Sequence, residues 1–215
     1  DKNPVFGIKK HKEHSRDRYI TLEEKEQFLN ALNAEKDQQI KDFVYISLYT
    51  GARKSNVLSM RWEDISCDQG VWYIKDTKNG DPQNVVLIED AVKILERRKL
   101  NSKSEWVFPS KDSKSGHFQE PRKGWVRICK RAGIEDLRIH DLRRTCGSWM
   151  ALNGASQYII GKMLGHKSPQ STAIYARLSL DPVREHMEKA INLKNGDLQR
   201  KIEELKRKQE EENNS

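Results

Sequence analysis

Apolar residues recur at helical spacing through most of the chain, and residues typical of helix ends bound these stretches. Thr21 and Glu24 form a capping-box pattern before the apolar residues of 28–32, so a helix is predicted to begin there. A second apolar stripe over 40–48 stops near the Thr50-Gly51 pair. Further apolar stripes lie at 57–60, 90–99, 125–131, 142–153, and 159–164. We interpret all of them as helix faces that pack into a core.

Several single residues sharpen the predicted helix boundaries. Gly133 is predicted to follow the end of the helix around Trp125. Ser156 is predicted to cap a short helix that Gly165 ends, and the Ser168-Pro169 pair to start another, since proline suits the first helical position. The pattern therefore favours a molecule built mostly from helices.

Two short β-forming stretches interrupt the helical pattern. Residues 70–76 read GVWYIKD and residues 83–88 read QNVVLI, and the Asn79-Gly80 pair between them is a strong hairpin signal. The predicted fold class is therefore mainly α with a small antiparallel β-sheet, an α+β fold.

Composition changes at both ends of the chain. Residues 1–18 are polar and basic without periodicity, which predicts a linker or extended arm, and residues 19–194 are predicted to form one domain. Residues 195–215 are predicted to be a charged helical tail. Its Leu198, Ile202 and Leu205 share one helical face, which is either a frayed solvated helix or a stripe that docks on a neighbouring subunit.

Charge and cysteine content narrow the functional classes. The 215 residues are 35% hydrophobic and 33% charged, with a net charge of +8 and a sequence pI near 9.3. A basic chain favours a polyanionic partner such as nucleic acid, although an inert basic surface has the same composition. The three cysteines are scattered without a CxxC pair, which indicates free thiols in a reducing cytoplasm. No apolar run is long enough for a membrane span, and no signal peptide is visible.

Cationic side chains stand at three predicted helix beginnings, where exposed N–H groups already make the end positive. The segments are RIHDLRRTCGSW (138–149), TGARKSNVLSMRW (50–62) and LGHKSPQSTAIYARL (164–178). In the first, Asp141 is predicted to be the helix N-cap, which places Arg143 and Arg144 in the first turn. Each case alone fits a solvated surface. Together, if the three ends converge, they predict a pocket for one phosphate, which arginine binds bidentately.

The order of these segments resembles the catalytic domain of the tyrosine recombinases, also called the phage integrase family, over roughly residues 19–185. Family members carry an arginine in a TG-x-R segment, a lysine on a β-hairpin, an H-x-x-R pair, an LGH histidine and a tyrosine nine residues further on. The matching residues here are Arg53, Lys78, His140, Arg143, His166 and Tyr175. Asn56 is a departure, since the family often has a supporting glutamate at that position.

The resemblance implies a site-specific DNA recombinase or integrase of a bacterial mobile element, which cuts and rejoins DNA through a 3′-phosphotyrosyl intermediate. Tyr175 would be the nucleophile, and because a phenol has a pKa near 10, a base such as His140 would take its proton. Lys78, at the hairpin tip, would protonate the departing 5′ oxygen, with Lys75 as the rival position.

The remaining cationic residues of the resemblance would stabilise charge. Arg53, Arg143 and His166 would hold the non-bridging oxygens, so no metal is expected, and the lack of a Gly-rich P-loop predicts no ATP. Residues 1–18 would then be the linker from an N-terminal domain that completes a clamp around DNA.

The expected partners are double-stranded DNA recombination sites, other protomers in a tetramer on DNA, and accessory DNA-bending proteins, with no membrane. Two alternatives remain open. One is type IB topoisomerase-like DNA relaxation, and the other is a DNA-binding module without catalysis. The LGH and HDLRRT segments favour the recombinase.

Overall fold

A computed structural model describes residues 16–75, 80–191, 200, 202–204 and 206–207 of the chain. The helices of this described part are α1 (Leu22–Asn33), α2 (Gln38–Thr50), α3 (Lys54–Leu58), α4 (Glu89–Leu100), α5 (Arg122–Ala132), α6 (Asp141–Leu152), α7 (Gln157–Leu164), α8 (Gln170–Ala173) and α9 (Leu180–Ile191). The strands are β1 (Ile65–Ser66), β2 (Val71–Ile74) and β3 (Gln83–Val86), and two 3-10 turns cover Trp62–Asp64 and Ala176–Ser179. The predicted α+β fold class is confirmed.

The helix boundaries follow local capping chemistry. Thr21 and Glu24 form the predicted capping box at the start of α1, each side chain accepting from the other's backbone N–H. Ser156 accepts from the Ile159 N–H at the start of α7. Gly51 ends α2 and Gly165 ends α7 in the left-handed conformation that glycine adopts without strain. These predicted signals are confirmed.

The start of α6 differs from the prediction by one residue. The helix begins at Asp141 with His140 at the N-cap position, so the prediction that Asp141 is the N-cap is wrong. The Asp141 carboxylate turns backwards instead, where it accepts from the Arg138 N–H at 2.8 Å and the Arg16 guanidinium at 3.0 Å. Because those donors occupy it, the carboxylate does not cap the first turn. Arg143 and Arg144 lie in that turn as predicted.

The hairpin forms one side of a three-stranded antiparallel sheet in the order β1-β2-β3. Its two long strands pair from Val71 opposite Val86 to Ile74 opposite Gln83, and are shorter than the predicted stretches. The short strand β1 and the helix α9 were not predicted from the sequence. Lys78 and Asn79 lie outside the described residues, so the predicted turn itself is not described.

Helix α6 lies at the centre of the molecule, between α2 on one side and α7 on the other. A large core of aromatic and aliphatic side chains, with Phe28, Phe43 and Trp72 fully buried, joins α1 to α5, the sheet and one face of α6. A smaller cluster of Ala151, Ile160, Leu164 and Tyr175 fills the space on the α7 side. The cationic segment 138–149 therefore lies largely on a helix that is packed on two sides.

The tail is described only at six positions, all helical, and Ile202 among them is exposed. Leu198 and Leu205 of the predicted apolar face lie outside the described residues. Two of the three cysteines, Cys129 and Cys146, are buried free thiols, and Cys67 is half-buried and also free. Among the described residues, no helix is both long enough and apolar enough to span a bilayer.

Candidate active site

Arg143 joins three segments that are far apart in the sequence. Its Nη1 donates to the Gly51 carbonyl at 2.6 Å, and its Nη2 donates to the Leu164 carbonyl. Gly51 ends α2 just before Arg53, and Leu164 ends α7 just before His166. Close packing supports this junction, because a Cβ on Gly51 would come within 2.7 Å of the Leu164 side chain. The three predicted cationic helix ends therefore do converge.

The Arg143 guanidinium is a buried cation with 8% of its surface exposed. Burial, reinforced by the nearby charge of Arg53, lowers its pKa to about 10, so it stays protonated at neutral pH. Among the described residues no carboxylate pairs with it; the partners found are two main-chain carbonyls. Each terminal nitrogen keeps a second N–H. A buried charge without a counter-ion is costly, so this arrangement favours the binding of an anion.

The two histidines lie within the electrostatic reach of the arginines. Burial, together with Arg143 and Arg53, lowers the pKa of His166 to about 4. Burial and Arg143 also lower the pKa of His140, against the opposing influence of Asp141. Both imidazoles are therefore largely neutral at pH 7. A neutral imidazole can accept a proton at one nitrogen and donate a hydrogen bond from the other.

Tyr175 lies in an apolar slot beside this cationic site, with 3% of its surface exposed. Its ring rests on α6 at Gly147, where a Cβ would come within 2.6 Å of Cζ and 2.9 Å of the phenolic oxygen. Burial raises the pKa of Tyr175, although Arg143 and Arg144 act in the opposite direction. The phenol is therefore close to the arginines but protonated and shielded from water.

The structure brings together five of the six residues predicted for the site. Charges of Arg53 and Arg143 reach both histidines, and Arg143 also reaches the phenol. These five residues are Arg53, His140, Arg143, His166 and Tyr175. The sixth, Lys78, lies outside the described residues. Among the described residues, no group of three His, Cys, Asp or Glu side chains is arranged to hold a metal ion.

The rival lysine is engaged elsewhere. The Lys75 ammonium lies 2.6 Å from Asp64 and 3.1 Å from Glu63, and these two carboxylates raise its pKa. After the undescribed turn, Asp81 pairs with Lys167 at 2.5 Å, and Gln83 donates to the Met163 carbonyl at 2.9 Å. The residues that follow the hairpin turn therefore contact the segment that carries His166.

Three residues of the site were missed from the sequence. Thr172 bonds to His166, Gly147 makes room for Tyr175, and Asp17 contacts both Arg144 and Arg177. Thr172 and Gly147 stand close to predicted site residues, so their position was a usable signal. Asp17 gave none, because its partners lie more than a hundred residues away.

The comparisons with known proteins agree with this geometry. The sequence profile of the phage integrase family matches residues 18–181. The integrase of Salmonella phage P22 is 29% identical over 199 residues, covering 86% of this chain and 50% of the relative. Tyrosine recombinase XerA of Saccharolobus solfataricus is 31% identical over 168 residues, covering 77% and 55%. The chain therefore spans about half the length of the curated relatives it matches.

A solved structure shares the fold. The catalytic domain of bacteriophage HP1 integrase superposes with a TM-score of 0.62 at 20% identity, covering 81% of this chain and 94% of that one. At this level of identity the likeness concerns the path of the backbone and the arrangement of its helices.

Proposed function

The chain belongs to the phage integrase family, and from this premise we propose that it is the catalytic part of a site-specific recombinase of a mobile element. It cuts and rejoins double-stranded DNA through a 3′-phosphotyrosyl intermediate. The observation that carries the proposal is the buried guanidinium of Arg143, which lies beside the phenol of Tyr175. Among the described residues, this guanidinium has no carboxylate partner. A phosphodiester suits that place, since its non-bridging oxygens can accept from the N–H groups that the two carbonyls leave on Arg143.

Strand cleavage is an in-line displacement at phosphorus. The Tyr175 oxygen forms a bond to phosphorus while the bond to the 5′ oxygen breaks, and neutral His140 accepts the phenolic proton. Negative charge grows on the non-bridging oxygens, where Arg53, Arg143 and the neutral His166 donate hydrogen bonds. Attack of a 5′-hydroxyl on the phosphotyrosine reverses these steps and reseals a strand, so no high-energy cofactor is consumed.

The buried phenol adds a conformational step. Tyr175 is packed against Gly147 and shielded from water in the free protein, so its segment has to shift before the oxygen reaches a phosphorus atom. The segment is short, since only residues 174–179 separate α8 from α9. DNA, or a neighbouring protomer on it, would supply the binding energy for this shift.

The partners extend the same proposal. Duplex recombination sites are the substrate, and four protomers on two paired sites are the working assembly, with accessory DNA-bending proteins as additional partners. The exchange of strands between two duplexes needs a second 5′-hydroxyl near each phosphotyrosine, which only such an assembly provides.

Covalent trapping tests the central step. The chain is incubated with a pool of nicked duplexes of randomised sequence, whose short cleaved end diffuses away, and adducts that survive denaturation are isolated and sequenced. Wild type is expected to yield an adduct at one enriched sequence, and Tyr175→Phe none, because it lacks the attacking oxygen. An adduct with Tyr175→Phe, or none with wild type across the pool, would contradict the proposal.

The identity of the general acid needs its own test. We assign it to Lys78, because the raised pKa of Lys75 and its two carboxylate partners make that ammonium a poor proton donor. Lys78→Ala should lose cleavage of an ordinary phosphodiester and regain it on a 5′-bridging phosphorothioate, whose leaving group needs no proton. The matched control is Lys75→Ala, and rescue of that variant instead would reverse the assignment.

A further inference from the structure

Thr172 connects the site histidine to the nucleophile. Its Oγ1 lies 2.9 Å from Nδ1 of His166, and its carbonyl accepts from the Tyr175 N–H at 3.0 Å. The residue is 3% exposed. A Cβ on Gly161 of α7 would lie only 3.0 Å from the Thr172 hydroxyl, so the space around this oxygen is tightly bounded. The hydroxyl therefore occupies one defined position against the imidazole.

The direction of this hydrogen bond decides what His166 can do. A neutral imidazole carries one ring hydrogen, on either Nδ1 or Nε2. If Nδ1 carries it and donates to Thr172, Nε2 presents a lone pair and repels a phosphoryl oxygen. If the threonine hydroxyl donates to Nδ1, the hydrogen stands on Nε2, which becomes a donor.

The hydroxyl is available for the second arrangement. A threonine in a helix commonly donates to a carbonyl one turn earlier. Among the described residues, the Thr172 hydroxyl has no acceptor of that kind, and the His166 ring nitrogen is its one partner. The Nδ1 lone pair is therefore the one acceptor that the described residues offer to this hydrogen.

We propose that Thr172 is a positioning residue whose hydroxyl donates to Nδ1 of His166 and keeps the ring hydrogen on Nε2, facing a non-bridging phosphoryl oxygen. The inference rests on the proposed function, because it assigns that oxygen as the acceptor. The Thr172 carbonyl also accepts from the Tyr175 N–H, so the same residue contacts both the oxyanion donor and the segment that carries the nucleophile.

The first test reads the tautomer directly. ¹⁵N NMR of histidine-labelled chain at pH 7.5 distinguishes a protonated from an unprotonated ring nitrogen, and His166→Asn assigns the signal. Wild type and Thr172→Ser, which keeps the hydroxyl, should show the hydrogen on Nε2. Thr172→Val, which has nearly the same shape, should lose this preference. A wild-type signal with the hydrogen on Nδ1, or an unchanged tautomer in Thr172→Val, would overturn the proposal.

The second readout is the trapping reaction. Thr172→Val should slow adduct formation by about 10²-fold with duplex binding unchanged, the order expected for losing one donor to a developing oxyanion, and Thr172→Ser should restore it. The two assays fail separately. A correct tautomer without any wild-type adduct would refute the proposed function alone, and adduct formation with an unaltered tautomer in Thr172→Val would refute only the role of Thr172. If Thr172→Val does not fold, Thr172→Ala removes the hydroxyl in its place, and a wild-type ring hydrogen on Nδ1 overturns the proposal in either case.

Discussion

Gly147 stands in the middle of α6, where glycine costs about 1 kcal/mol relative to alanine because its unfolded chain is freer. The ring of Tyr175 explains why glycine stands here despite this loss of helix stability. Its Cζ occupies the space in which an alanine methyl at 147 would stand. Glycine at this position therefore lowers the stability of the helix but leaves the space in which the Tyr175 ring packs.

A double-mutant cycle measures this exchange. Gly147→Ala alone should lower the free energy of unfolding by about 1–2 kcal/mol, because overpacking against the ring outweighs the gain in helix propensity. In a Tyr175→Ala background the same change should raise it by about 1 kcal/mol, since the ring is gone. Urea unfolding of the four proteins gives both values, and simple additivity would show that the two residues are not in contact.

The kinds of residue in the site were readable from the sequence, and their hydrogen-bond partners were not. Arg53, His140, Arg143, His166 and Tyr175 stand in a motif order that identifies them. The acceptors of Arg143 are main-chain carbonyls, which every residue possesses, so no side-chain pattern marks them. The bond between Thr172 and His166 joins two side chains six residues apart, so their sequence positions gave a signal, but the contact itself depends on how the turn between them folds.

Helix α6 is bound by residues 16–20, which precede α1, as well as by its neighbouring helices. Arg16 pairs with Asp141 at its first residue, and the Ile20 N–H donates to the Thr145 hydroxyl at 3.0 Å. Between them, Asp17 lies 2.7 Å from Arg177, two residues after Tyr175, and 3.8 Å from Arg144. Residues 16–20 therefore connect α6 to the 3-10 turn that follows Tyr175.

Removing the Asp17 charge should loosen that turn. Asp17→Asn is expected to speed amide hydrogen exchange over residues 174–179, while global stability changes little, since the pair is half exposed and screened by solvent. Hydrogen–deuterium exchange with peptide mass spectrometry measures the effect. Asp112→Asn, which removes the same charge from an exposed loop before α5, is the control, and equal exchange in both variants would show that Asp17 does not hold the turn.

Helix boundaries were predicted well where the signal is local. The Thr21 capping box and the terminal Gly165 act within four residues, so the sequence carries them completely. Strand β1 is two residues long and exists only through its pairing with β2. Helix α9 shows a narrow apolar stripe of Val183, Met187 and Ile191 that stays exposed, which is weaker than the pattern of a core helix.

Several basic side chains form ion pairs with buried carboxylates inside the protein. Arg97 and Arg98 pair with buried Asp42, and Arg127 pairs with buried Glu35. These ion pairs connect α4 to α2 and α5 to the loop after α1. The 40 basic side chains exceed the 32 acidic ones, and the resulting net charge of +8 favours association with a polyanion.

Duplex binding should accordingly weaken steeply with salt. If the chain contacts about six phosphates, affinity should fall by about 10³-fold between 50 and 200 mM salt, because bound counterions are released on association. Fluorescence anisotropy with a labelled duplex gives the slope. Tyr175→Phe should show the same slope as wild type, and a salt-independent affinity would mean that phosphate contacts do not drive binding.

Arg143 fastens the ends of α2 and α7 to α6 and, in the proposed reaction, also faces the phosphate. The same side chain therefore holds the fold together and takes part in the proposed reaction. Lysine, with a single ammonium, cannot donate to both carbonyls from two separate nitrogens as arginine does. A variant at this position would therefore lose architecture together with chemistry. Tyr175→Phe removes only the phenolic oxygen and leaves the contacts of Arg143 with the ends of α2 and α7 in place. It is therefore the variant to use for a folded protein that binds DNA without cutting it.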